Sequence, residues 1–295
     1  MTLSRAVFTA AVRLDRRGIN ETAEQIPAEE PLQLRLADHI LGTTLRTPGH
    51  DRELAVGFLL SEGLIRGAAD LSSIAPCGRP DEPGYGNVLN VTPSPGYTLE
   101  TDPLARAQRR SHTSSACGLC GRQSIEDLRS LCTPIESSVT LPFEALLTAV
   151  RELGERQPLF ERTGGTHAAG LLSVGLPQAG SGCQWEGVFE DIGRHNAVDK
   201  ALGHAALRQP NFRTQDPSQS LADVLVVSSR AGFEIVHKAC VAQVPIVACV
   251  SAPTSLAVET ARAFGLTLVG FAREDRVTVY TWPGRILESF GHAPA

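Results

Sequence analysis

Residues 223–250 read DVLVVSSRAGFEIVHKACVAQVPIVACV, and this stretch decides the fold class. Asp223–Ser228 and Pro245–Val250 are short, almost wholly apolar runs rich in β-branched residues, as in strands covered on both faces. Between them Gly232–Gln243 is long enough for a helix and opens on a glycine. Strand, helix and strand in that order make a crossover between parallel strands. The alternation continues outward. Gly170–Val174, Gly187–Glu190, Leu266–Phe271 and Val277–Thr281 read as strands, and His195–Leu207 and Ser255–Phe264 as helices. An α/β fold with a largely parallel sheet is expected over residues 166–295.

Upstream, the pattern is mixed. Leu32–Leu36 alternates apolar and polar residues, a half-buried strand. Thr47-Pro48-Gly49 is a turn, after which Asp51 is expected to cap a helix through Ile65, with Leu54, Phe58, Leu59 and Leu64 on one stripe. Pro and Gly punctuate residues 76–103 around a short strand at Val88–Val91. Residues 104–123, LARAQRRSHTSSACGLCGRQ, have no apolar period and suggest a mobile, basic loop. Helices follow at Ser124–Leu131 and Pro142–Gln157, the second burying Phe143, Leu146, Leu147, Val150 and Leu153, before Gly164-Gly165 breaks the chain. The division is therefore 1–123, a mixed α+β part ending in the mobile loop, and 124–295, an α/β domain.

The chain has 295 residues, 42% hydrophobic and 20% charged, which excludes wholesale disorder. A net charge of −5 argues against a general nucleic-acid binder. The first 21 residues contain no long apolar run and no stretch of about 18 apolar residues occurs anywhere, so neither a secretory signal nor a membrane span is expected. A reducing cytoplasm is the expected location, where cysteines serve catalysis or metals more often than disulfides. Of 27 basic residues only Lys200 and Lys238 are lysine. Either a compact ammonium is needed there, or codon bias spared them.

Cys117-Gly118-Leu119-Cys120 is the sharpest chemical signal among seven cysteines. Arg106, Arg109, Arg110, His112 and Arg122 surround it, and positive charge stabilises a thiolate. A zinc site would need about four ligands, and no second CxxC exists, although His112 and Cys77 could contribute. A thioredoxin-type motif should follow a strand, and an inert buried pair does not suit a charged loop. A persulfide-forming, sulfur-transferring thiol suits it best. Cys240 and Cys249 fall in apolar patterns and read as core, and Cys132 ends a helix and reads as packing.

A second group of signals sits where strands meet helices: Gly164–His167, Asp191–Asn196, Ser228–Gly232 and Ser251–Ser255. In parallel sheets ligands bind beyond the carboxyl ends of the strands, and helix N-termini there favour anions. Each turn alone reads most simply as a helix cap. Together they point to a phosphate-rich ligand, although no dinucleotide or Walker fingerprint is present. His167, His195 and His237 are acid–base candidates or plain hydrogen-bonding residues.

Taken in order, RTPGHDRELAVGFLLSEGLI, SACGLCGR, GGTHAAGL, EDIGRHNAVDKALG, SSRAGFEIVHKA and SAPTSLAVETARAFGLTLVGFAR resemble the FdhD family of formate dehydrogenase accessory sulfurtransferases, over most of residues 46–283. The resemblance implies a cytidine-deaminase-like three-layer α/β sheet with a smaller mixed α+β N-terminal domain, usually as a homodimer. It implies sulfur transfer as a cysteine persulfide, from a cysteine desulfurase to the molybdenum (or tungsten) bis(molybdopterin guanine dinucleotide) cofactor. That cofactor is the bound substrate, a GDP-like guanine nucleotide is its partial ligand, and formate dehydrogenase is the client. Cys117 and Cys120 match the family's CxxC, the first as persulfide carrier. Phe271, Ala272, Arg273, Glu274, Asp275 and Arg276 match its cofactor-binding stretch, with Glu274 and Asp275 departing from the basic or Gly residues common there. The turns at Gly193, Arg194, His195, Ser229, Arg230 and Thr254 are expected to hold phosphates or guanine. No zinc chemistry is implied: His167-Ala168-Ala169 lacks the Glu of a zinc deaminase. The alternative is a non-catalytic cofactor-binding chaperone with CxxC as a redox or zinc site.

Overall fold

In the computed structural model of the protein, which describes residues 4–37, 39–79, 81–82, 84–98, 130–175, 183–212, 216, 218–273 and 275–288, the chain opens with an antiparallel hairpin. Its strands are β1 (Ala6–Asp15) and β2 (Gly18–Pro27). Asp15 Oδ1 accepts the Arg17 N–H at 2.7 Å to close the turn. Next come β3 (Glu30–Leu36), β4 (His39–Arg46), β5 (Leu71–Pro76) and β6 (Val88–Pro93), which form one sheet in the order β4-β3-β6-β5. Leu32, Leu34 and Leu36 point inward from β3, as their spacing predicts.

Helix α1 (Asp51–Ser61) differs at both ends from expectation. His50, in the left-handed region at φ 57°, takes the N-cap position. Asp51 instead grips the buried Arg46 guanidinium with both oxygens, at 2.9 Å and 3.0 Å. The helix stops short of Ile65 because Gly63 turns left-handed (φ 68°) and Gly63 and Leu64 donate back to Leu60 and Leu59.

After β7 (Leu141–Pro142) come α2 (Phe143–Glu155) and a short helix the sequence did not announce, α3 (Pro158–Thr163). Then follow β8 (His167–Val174), β9 (Cys183–Asp191), α4 (Arg194–Arg208), β10 (Val224–Val227), α5 (Phe233–Val241), β11 (Ile246–Cys249), α6 (Ser255–Ala263), β12 (Thr267–Arg273), β13 (Arg276–Val279) and β14 (Ile286–Leu287), which pairs with β7. The central sheet runs β13-β12-β11-β10-β8-β9. Only β10–β11 and β11–β12 are parallel; β8, β9 and β13 run antiparallel to their neighbours, so the sheet is mixed rather than largely parallel. The cause is spacing: eight residues separate β8 from β9 and two separate β12 from β13, too few for a crossover connection.

Alternation along the central strands feeds two apolar layers. Val224, Val226, Ile246, Ala248 and Val269 pack with Leu146, Val150 and Leu153 of α2. Leu225, Val227, Val247, Cys249 and Leu268 face the opposite cluster, which holds α4, α5 and α6 and continues into α1 and Leu32, Leu36 and Leu89 of the first sheet. The expected boundary at 123/124, and residues 124–129 of the expected helix, lie outside the described residues; Ser130 and Leu131 form a turn.

Helices α1 and α4 meet backbone to backbone. A Cβ on Gly203 would stand 1.8 Å from the Glu53 carbonyl oxygen, and one on Gly57 2.0 Å from that of Asp199. Gly203→Ala is expected to destabilise the fold by about 3 kcal/mol or more, since backbone on both sides must move. A urea midpoint unchanged from wild type would show that the helices part freely.

Candidate functional site

One edge of the central sheet gathers the chemistry. The carboxyl ends of β10, β11 and β12 point to it, and because β8 and β9 are antiparallel, so do the start of β8 at His167 and the end of β9 at Asp191. A cleft of about 940 Å³ opens there under α2, lined among others by Arg151, Gln157, Thr166, His167, Ser228 and Arg273. A smaller pocket of about 260 Å³ lies on the other side of His167, at the start of α4, with Gly193, Arg194, His195, Asn196, Thr44 and Glu29. His167 lines both. Burial first, then the charges of Arg194 and His195, hold its imidazole below the ordinary histidine range against a smaller opposing pull from Asp191.

Buried ionic groups fix this edge. Asp191 Oδ2 takes the Lys200 ammonium at 2.7 Å and the Thr47 N–H at 3.1 Å. Its Oδ1 takes the Gly193 N–H at 2.8 Å and Asn196 Nδ2 at 3.1 Å. Lys200 also donates to the Thr47 carbonyl at 2.8 Å. The turn into α4 is thereby tied to the end of β4. On the far side, Glu190 accepts from the backbone of Leu159 and Phe160 and from the Thr166 hydroxyl, holding α3 and the Gly164–Thr166 rim. Ser228 Oγ accepts the Ala168 N–H at 2.8 Å.

The structure sorts the expected site residues. Arg273 lines the large cleft, and Gly193, Arg194 and His195 line the small pocket. His195 is already engaged, 2.8 Å from Glu234 of α5. Phe271 is held at φ 50° at a bulge in β12, its N–H on the Ser251 carbonyl. Such a backbone is sparsely populated and collects at functional sites. Ala272 is buried against the α2 layer. Asp275 and Arg276 are exposed at the start of β13. Thr254 caps α6 through the Ala257 N–H, the simple reading of that turn. Its own N–H reaches the Ala231 carbonyl, which ties it to the Ser229-Arg230 turn. Ser229 donates to the Arg230 carbonyl and Arg230 is exposed. Glu274, Cys117 and Cys120 lie outside the described residues.

Arg151 and Gln157 were not singled out from sequence, whereas Thr166 and Ser228 belong to two of the turns that were. Ser228 carried a signal, as the first residue of a strand-to-helix turn; Arg151 carried none, since a cation on a helix surface reads as solvated. The other thiols suit a core. Burial raises Cys249 to about 11, and Cys240 is raised by its hydrogen bond with Cys132 and by burial. Among the described residues, no group of three or more His, Cys, Asp or Glu converges on a metal-sized site, and no helix is long and apolar enough to cross a membrane.

Residues 27–287 match the model of the FdhD/NarQ family. The chain belongs to that family. It is 44% identical over 283 residues to the sulfur carrier protein FdhD of Anaeromyxobacter dehalogenans (strain 2CP-C), covering 95% of each chain. It is 42% identical to that of Nocardia farcinica (strain IFM 10152), covering 93% of this chain and 92% of the relative. A crystal structure from Desulfotalea psychrophila, described as that of a formate dehydrogenase accessory protein, superposes with a TM-score of 0.71 at 23% identity, over 96% of this chain and all of that one. At that identity the FdhD-type likeness in structure speaks for the fold alone.

Proposed function

We propose that the protein is a sulfurtransferase that carries sulfur for the maturation of formate dehydrogenase. The observation that supports this most is identity of 44% along nearly the whole chain with a protein named as a sulfur carrier, together with the CxxC at Cys117 and Cys120. In this reading Cys117 thiolate attacks the outer sulfur of a cysteine desulfurase persulfide. The donor S–S bond breaks and the donor cysteine leaves as thiolate, so nothing is oxidised or reduced overall. Cys120 then attacks the inner sulfur of the Cys117 persulfide. Sulfide leaves for the molybdenum (or tungsten) bis(molybdopterin guanine dinucleotide) substrate, and the Cys117–Cys120 disulfide that remains is returned to thiols by a cellular dithiol. The cytoplasm and a deaminase-type layering of the sheet belong to the same proposal.

The large cleft is the proposed seat of a guanine nucleotide portion of that substrate. Its volume falls in the range of cofactor sites, about 300–1,000 Å³. Arg151, Arg273 and His167 offer cationic or proton-bearing groups to phosphates. GDP is expected to bind in preference to ADP. Unliganded His167, held below the ordinary histidine range, is neutral at pH 7, and a bound phosphate favours its protonated form, so binding is coupled to proton uptake and strengthens as pH falls toward that lowered range. Titration calorimetry from pH 7.5 to 5.5 should show wild-type affinity gaining on that of His167→Gln. A constant ratio would remove His167 from the site. Mass spectrometry after incubation with a desulfurase and cysteine tests the carrier itself: Cys117 should gain one sulfur, lost again on adding the substrate. No gain would leave only a cofactor-binding chaperone.

A further inference from the structure

The large cleft under α2 has two unlike ends. Its strands run β12-β11-β10-β8, so Arg273, Val250, Ser228 and His167 line it in that order across the strand ends. Arg273 and His167, with Arg151 of α2, are the groups offered to phosphates in the proposed function. Beyond His167 the lining passes to Gly164, Phe160, Gln157 and Gly154, and none of these bears a charge.

Three features of this uncharged end suit a flat ring. Gln157 is 8% exposed, and its Nε2 donates to the Leu153 carbonyl at 2.9 Å. That bond fixes which way round the amide lies, because a carbonyl has no hydrogen to give to Oε1. Oε1 accepts no hydrogen bond from the described residues and is not sealed from solvent, so it is left to the cleft. Phe160 is 46% exposed at the rim, where its N–H is held by Glu190 Oε1 at 2.7 Å. Gly154 shares the cleft-facing stripe of α2 with Leu147 and Arg151. Its backbone is ordinary helix, and a Cβ there would meet nothing within 4 Å. Neither conformation nor packing asks for glycine, which weakens a helix relative to alanine. What it provides is open floor, three residues from Gln157.

We propose that Gln157 is the residue that selects guanine over adenine. The purine lies on the Gly154 floor and against the Phe160 ring, with its N1–H and N2–H edge on Gln157 Oε1. This rests on the reading of the cleft as the seat of a guanine nucleotide. Phosphate contacts cannot make the choice, since both nucleotides carry the same diphosphate. Stacking on Phe160 adds affinity without choosing, because every base has a π-face. The acceptor does choose: guanine donates from N1 and N2, whereas adenine in the same place sets its own N1 lone pair against Oε1.

Titration calorimetry with GDP, ADP and inorganic pyrophosphate tests this. The wild type should bind GDP about tenfold or more tighter than ADP. Gln157→Leu should bring the two within about twofold by weakening GDP, and leave pyrophosphate unchanged. Phe160→Ala should weaken GDP and ADP by a similar factor, about tenfold, and keep the preference. Gly154→Leu should raise the melting temperature yet weaken both nucleotides and spare pyrophosphate. If Gln157→Leu still prefers GDP as the wild type does, selection by Gln157 is overturned and the nucleotide seat stands. Loss of all three ligands in proportion overturns it as well, and marks Gln157 as structural. A wild type that binds no GDP removes the seat, and the selection with it.

Discussion

Cys117→Ala is expected to reduce sulfur transfer by about a thousandfold or more, with client formate dehydrogenase left inactive, while the melting temperature stays within about 2 °C of wild type. The size of the effect follows from the proposed chemistry. A carrier thiol forms the covalent bond that moves the sulfur, and in the proposed sequence Cys120 serves only to release it. Four of the five described cysteines are poor substitutes, since Cys132, Cys240 and Cys249 are buried in the apolar cluster and Cys183 is raised by its own burial. The small effect on stability follows from sequence: Ser114, Ser115, Gly118 and the surrounding arginines bring little apolar surface to bury. Cys120→Ala separates carriage from release. The Cys117 persulfide should then form and persist, visible by mass spectrometry, while sulfide release slows. Full client activity in cells holding only the Cys117→Ala chain would end the carrier proposal.

How much of this was legible in the sequence depended on where residues bury themselves. β10, α5 and β11 were plain because both faces of those strands are covered, leaving unbroken Val and Ile runs between turn residues. The antiparallel flanks were not, because a strand's apolar pattern carries no direction; the one sign, not used, was the spacing of eight residues between β8 and β9, too short for a crossover. The β1–β2 arm escaped because alternation betrays a strand only when one face is buried, and here both are largely open. The Asp15 to Gly18 turn was the one available sign. Helix α3 left its Pro158 start and Gly164 stop in plain view, but six residues are too few to show a period. Of the site, the turns carrying Gly193, Arg194 and His195 and the strand end at Arg273 were legible from strand-to-helix punctuation and family likeness. Arg151 and Gln157 were not, because their role depends on α2 lying over the strand ends.

Lys200→Met is expected to cost about 3–5 kcal/mol, a drop in melting temperature of roughly 6–20 °C. The chain uses arginine for 25 of its 27 basic residues, yet both lysines lie buried against aspartates: Lys200 on Asp191 at 2.7 Å and Lys238 on Asp199 at 2.6 Å. Codon bias does not account for that placement. At Lys200, which is wholly buried, a guanidinium would need more room and five hydrogen-bond acceptors, while the ammonium has the Asp191 carboxylate and the Thr47 carbonyl within reach. Removing it leaves Asp191 charged and out of water, with only neutral donors from Thr47, Gly193 and Asn196. Burial holds the Lys200 ammonium below the ordinary lysine range despite the pull of Asp191. Between that lowered value and about 10.4 the unfolded chain binds the extra proton, so this residue's contribution to stability rises with pH there. The variant should lack that alkaline gain. Lys200→Arg should not rescue, and adding Asp191→Asn should recover part of the loss by removing the stranded charge. Because Asp191 also sets the Gly193 turn, anion binding beside Arg194 and His195 should weaken in Lys200→Met even at temperatures where the protein is folded. A melting temperature within about 2 °C of wild type, with anion affinity unchanged, would make the ion pair an ornament of the core and return its lysine to chance.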